Sequence, residues 1–80
     1  MNDLLKNIDY IHTTEMGINR IKKNLKLDNV DVVIYLKNKI LNKNSFIYKK
    51  GKNWYVEIDN IRITINSYNY NIITAHIINP

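Results

Sequence analysis

The spacing of apolar residues changes character about halfway along the chain. Up to Leu41 they recur at intervals of three and four; from Ser45 they alternate with polar residues. The first period belongs to helices, the second to strands with one buried face. Leu4, Leu5, Ile8 and Ile11 predict a short amphipathic helix over residues 3–11. His12-Thr13-Thr14-Glu15 interrupts it, and Thr13 or Thr14 can cap a second helix with Glu15 in its first turn. Ile18, Ile21 and Leu25 are that helix's apolar stripe, with Arg20, Lys22, Lys23 and Lys26 off it. Gly17 falls in its first turn, where a close contact calls for the smallest residue. Asp28 is expected to cap a third helix running to about Leu41, with Asp31 at its third position. Val30, Val33, Ile34 and Leu41 form its expected stripe, and Val32, Leu36 and Ile40 lie beside it. A stripe this wide predicts the most buried of the three helices.

After the turn at Asn42-Lys43-Asn44, four strands are expected. Phe46-Ile47-Tyr48-Lys49 is the first, and Gly51-Lys52 suits a two-residue hairpin turn. Trp54, Val56 and Ile58 alternate with Tyr55, Glu57 and Asp59 in the second. Asp59-Asn60 is a second tight turn, since both residues tolerate the left-handed region. Ile61, Ile63 and Ile65 alternate with Arg62, Thr64 and Asn66 in the third. After a loop at Ser67-Tyr68-Asn69, Tyr70 to Ile78 is the fourth. A two-residue turn at Asp59-Asn60 pairs Glu57 with Arg62 and Tyr55 with Thr64, and sends Trp54, Val56, Ile58, Ile61, Ile63 and Ile65 to the other face. The last strand depends on a loop count. Three or five loop residues after Asn66 leave Thr74 and His76 on the polar face with Arg62, whereas four would turn them inward. We expect the former, which sends Ile73, Ala75 and Ile77 to the core. The expected fold is therefore α+β: N-terminal helices (3–41) packed on a C-terminal antiparallel β-meander of three to four strands (45–78), in a single domain over 1–80.

Composition narrows the chemistry. Eighty residues leave no room for a second core. There is no cysteine, so disulfides and thiolate metal sites play no part. The N-terminus has no signal-peptide pattern, and no apolar run approaches the roughly 20 residues of a membrane-spanning helix. A cytoplasmic protein is expected. The net charge of +5 favours polyanions, above all nucleic acid. Asn, Ile, Lys and Tyr are all over-used, and an AT-rich genome would raise all four without selection for binding.

Metal-independent RNA cleavage needs a base for the 2′-OH, an acid for the leaving 5′-oxygen and a charge-stabilising donor. Histidine as a residue type suits the first two tasks. The chain has two, His12 and His76, each close to threonine. His76 and His12 are the candidate acid and base, Arg62 and Thr74 the candidate phosphate ligands, and Glu57 an alternative base or a plain cross-strand partner for Arg62. Arg20, Lys22, Lys23, Tyr55 and Thr64 are candidate nucleic-acid contacts. Tyr48, Tyr68 and Tyr70 could also stack on bases, although tyrosine is a good strand former in its own right. Residues 18–41 have the layout of two helices and a turn, but the second is too apolar to read bases. No histidine pair has metal-ligand spacing and no glycine-rich phosphate loop is present, so neither metal nor cofactor is expected. Candidate partners are RNA and, through an exposed edge strand, a second copy of the chain.

Three segments carry a resemblance. HTTEMGINRIKKNL, KGKNWYV, and ITIN followed by IITAH resemble a family of short bacterial proteins of unknown function, over nearly the whole chain. That likeness brings no activity with it. Its pattern positions are His12, Thr13, Thr14, Glu15, Gly17, Arg20, Trp54 and His76. Helices followed by a four-stranded meander are also similar in architecture to barnase, colicin and RelE-like RNase toxins. By analogy of fold alone, this implies metal-free RNA cleavage from the sheet face.

Overall fold

The computed structural model describes residues 2–78; the end residues of the expected 1–80 domain, Met1, Asn79 and Pro80, lie outside the described residues. Among the described residues are α1 (Asp3–Lys6), a 3-10 turn (Ile8–Tyr10), α2 (Glu15–Leu25), α3 (Val32–Leu41) and four strands. The strands are β1 (Phe46–Lys50), β2 (Asn53–Ile58), β3 (Ile61–Asn66) and β4 (Ile72–Ile77), and they form one antiparallel sheet in the order β1-β2-β3-β4. The chain is thus α+β, as the change of period implies.

The expected helix over 3–11 is broken in two, with Asn2 capping α1 by accepting from the Leu5 amide. Thr14, rather than Thr13, caps α2, its Oγ1 accepting from the Gly17 amide at 3.0 Å. The helix ends at Lys26 in the left-handed region, where the Leu27 amide reaches back to the Lys22 carbonyl. The cap of α3 is Asp31, not Asp28, and the helix starts at Val32. The buried stripe is the one expected to lie beside the main one. Val32, Leu36 and Ile40 are in the core at i, i+4 and i+8, whereas Ile34 and Leu41 are more than half exposed and Val30 lies outside the helix. The broad apolar stripe expected to make α3 the most buried helix is therefore half on the surface. The Lys39 ammonium pairs with the Asp59 carboxylate in the β2–β3 turn and tethers α3 to that hairpin.

Register follows the turns. Gly51 takes φ +62°, and Asp59 and Asn60 take +52° and +64°. Two successive positive values are what a type I′ hairpin turn needs. The core lies between the helices and the inner sheet face, where Val56, Ile63 and Ile65 meet Leu4, Ile21, Leu36 and Ile40. The β3–β4 loop has five residues, which leaves Thr74 opposite Thr64 and His76 opposite Arg62. Between Thr64 and Ile65 the register shifts, so that Ile65 faces Ile72. This bulge corrects the expected core positions of the last strand. Ile72 is buried in place of Ile73, which is 38% exposed; Ala75 is buried as expected, and Ile77, still opposite Ile61 at the end of the strand, is 48% exposed.

Candidate functional site

The outer sheet face is built as rows of cross-strand partners, which share one face and stand close. One row runs Phe46, Glu57, Arg62, His76, and the next Tyr48, Tyr55, Thr64, Thr74. The helices pack on the opposite face through α2 against β4 and α3 against β2. Six of the candidates named from the sequence (Tyr55, Glu57, Arg62, Thr64, Thr74 and His76) therefore share one surface.

Glu57 is the hub of the first row. It accepts from the Tyr48 hydroxyl at 2.7 Å and from Arg62 Nε at 3.2 Å, both on the same oxygen, Oε2. The phenol bond, with a smaller contribution from the guanidinium, holds its carboxyl below the usual carboxylate range. The same bond pushes the Tyr48 phenol above its usual value, because losing the proton would break it. Arg62 is thus aimed by a fixed carboxylate while staying about a third exposed. His76 stands across from Arg62 on β4 and is half-buried. Thr64 is only 7% exposed, closed in by its row. The Tyr48 and Tyr55 rings stack with centroids 5.3 Å apart, and Phe46 packs on Tyr48 at 5.3 Å while remaining 63% exposed.

The other candidates lie elsewhere. His12 is joined by its backbone to the start of β4: its amide donates to the Tyr70 carbonyl and its carbonyl accepts from the Ile72 amide at 2.7 Å. His76 is five residues further along from its bridge partner Asn71, which puts the two histidines roughly 15 Å apart along the strand. An acid and a base must reach one phosphate, so the register does not bring His12 and His76 together as a catalytic pair. The His12 ring instead bonds the Tyr10 carbonyl through Nδ1 at 2.8 Å. Arg20 and Lys23 are exposed on α2, and Lys22 is half-buried there. That helix buries Gly17 and Ile21 against the other side of the sheet, so its cations do not join the open face.

The HTTEMG segment has a structural explanation. His12 extends the sheet by one bridge, Thr13 Oγ1 donates to the Ile72 carbonyl at 3.1 Å and Thr14 caps α2. Gly17 leaves room for Thr13, since a β-carbon there would stand 2.1 Å from its hydroxyl oxygen. Sequence reasoning missed Phe46 as part of the outer face and Tyr48 as a ligand of Glu57. The signal was available: a two-residue turn at Gly51-Lys52 pairs Tyr48 with Tyr55 and Phe46 with Glu57. Among the described residues no three His, Asp or Glu side chains gather as a metal site would need, and no helix is long and apolar enough to cross a membrane.

Fold and face together define a small α+β protein with one side of a four-stranded meander under helices and the other open. The chain belongs to the family described as Protein of unknown function (DUF3781), whose model matches residues 5–76. No curated protein and no solved structure matches it.

Proposed function

We propose that this protein binds RNA on its open sheet face and cleaves it without a metal ion. The observation that carries the reading is the Glu57–Arg62–His76 row, an ionised carboxylate, a guanidinium and an imidazole on neighbouring strands. Glu57 and His76 are two strand spacings apart, about 10 Å at the backbone, and their side chains can converge over a phosphate held by Arg62. In the reaction the 2′-oxygen attacks the adjacent phosphorus while Glu57 takes its proton. The bond from phosphorus to the 5′-oxygen breaks, and His76 as general acid gives that oxygen a proton. The products are a 2′,3′-cyclic phosphate and a 5′-hydroxyl. Arg62, with Thr74 in the neighbouring row, stabilises the charge that gathers on the phosphoryl oxygens. The depressed pKa of Glu57 keeps it ionised, the form in which it can take a proton. The net charge of +5 favours the polyanion.

The test is incubation of the protein with end-labelled RNA in excess EDTA. Cleavage that yields cyclic-phosphate ends and is lost in His76→Ala supports the reading. No cleavage, or cleavage unchanged in that variant, rejects it.

A further inference from the structure

We infer that the aromatic end of the open face is a stacking subsite for one unpaired base next to the phosphate held by Arg62. The inference deepens the RNA-binding reading above and rests on it. It makes single-stranded RNA the substrate class and Phe46 a specificity-determining residue.

Three aromatic rings gather at the β1 side of the face, and their arrangement is graded. Tyr55 lies innermost beside the buried Thr64, Tyr48 stacks on it at 19° between ring planes, and Phe46 packs against Tyr48 at the outer end. The Tyr48 hydroxyl is committed to Glu57, so its ring is fixed in place and supports Phe46 from one side. Phe46 remains 63% exposed, an apolar ring held in water on a face otherwise lined by polar groups. An aromatic ring offered this way accepts any base, because every base has a π-face.

The same ring stands in the row of Glu57, Arg62 and His76. Two strand spacings separate Phe46 from Arg62, about 10 Å at the backbone, which is within reach of one nucleotide. A base seated on Phe46 therefore brings its own phosphodiester over Arg62. Lys50, on the same face four pairs along β1 from Phe46, adds positive charge at the other end of that strand. A paired base has both faces stacked and cannot seat on a ring in a flat sheet, so duplex RNA is excluded from the subsite.

The experiment measures binding apart from cleavage, using fluorescence anisotropy with a labelled 2′-O-methyl oligonucleotide, which lacks the attacking hydroxyl. Phe46→Ala removes a largely exposed side chain and should leave the fold intact, which a thermal melt verifies. The expected result is that Phe46→Ala weakens binding of the single strand at least about fivefold, while duplex of the same sequence binds weakly and equally to both proteins. Equal single-strand affinity of Phe46→Ala and the unaltered protein overturns the subsite and leaves the cleavage reading standing. Selective loss in Phe46→Ala without any RNA cleavage by the unaltered protein supports the subsite and rejects the catalytic step. No binding of the single strand at all overturns both.

Discussion

Arg62 and His76 are direct cross-strand partners, one on β3 and one on β4, and Glu57 stands on the other side of Arg62 in the same row. A guanidinium bonded to a carboxylate, with an imidazole opposite it in register, gives the open sheet face a chemical direction. Its two neighbours are unequal: Glu57 touches Arg62 Nε at 3.2 Å and Tyr48 braces it from the far side.

If the row cleaves RNA, Arg62 acts as a fork and not as a point charge. Arg62→Lys keeps the charge and loses the planar donor pair, so it should lower the cleavage rate nearly as far as Arg62→Ala. His76→Ala, lacking the proton donor, should lower it about 10²–10⁴-fold. Single-turnover rates in EDTA check both. An Arg62→Lys variant with an unaltered rate would leave Arg62 as a simple electrostatic contact.

The pH dependence of stability has a definite sign at Glu57. Its pKa in the folded protein lies below the ordinary value near 4.3, so its contribution is present above that value and fades as pH falls through the folded value. Glu57→Gln should therefore melt below the unaltered protein at pH 7, and the two melting curves should draw together below about pH 4. Because the carboxylate is partly open to water, the difference at neutral pH should be small. A constant gap from pH 7 to pH 3 would show that the difference arises from packing.

Gly17 and Thr13 are coupled by contact. Replacing a helix-interior glycine with alanine ordinarily stabilises by about 1 kcal/mol. Here the added carbon would stand 2.1 Å from Thr13 Oγ1, whose bond to the Ile72 carbonyl anchors α2 to β4. Gly17→Ala should destabilise by about 1–3 kcal/mol. In a Thr13→Ala background the severe clash is gone and only a tight 3.3 Å contact with the capping Thr14 Oγ1 remains, so the same change should cost clearly less than in the unaltered protein. Denaturant melts of the four proteins in this cycle give the coupling directly.

The bulge in β4 separates two adjacent isoleucines. Ile72 is 1% exposed, whereas Ile73 is 38% exposed. Ile72→Ala should cost about 2–5 kcal/mol and Ile73→Ala under half of that. The reverse order in chemical denaturation would mean that the last strand lies one residue out of the register described.

Much of the site was legible before folding. The two-residue turn at Asp59-Asn60 fixes Glu57 against Arg62 and Tyr55 against Thr64, since a hairpin turn of known length leaves one register. Thr74 and His76 were legible only conditionally, through a loop whose length admitted both parities. The start of α3 was misread because Asp28 and Asp31 are both chemically competent caps, and its buried stripe because apolar residues lie on both faces. The cap decides only where the helix begins; packing decided which of its apolar faces is buried.

The sequence by itself determined the order of elements, the tight turns and the facing of β2 and β3, because these rest on local periodicity and on which residues tolerate positive φ. Tertiary structure decided what depends on distant parts of the chain. The β4 bulge exchanged Ile73 for Ile72 in the core, and the His12 bridge set the N-terminal histidine at the far end of β4 from His76. Only the packed sheet set Tyr48 against Glu57 at 2.7 Å and left Phe46 exposed at the end of the Glu57–Arg62–His76 row. Local pattern fixes which way a side chain faces. Which side chains meet is a matter of long-range pairing, where a one-residue shift changes every neighbour.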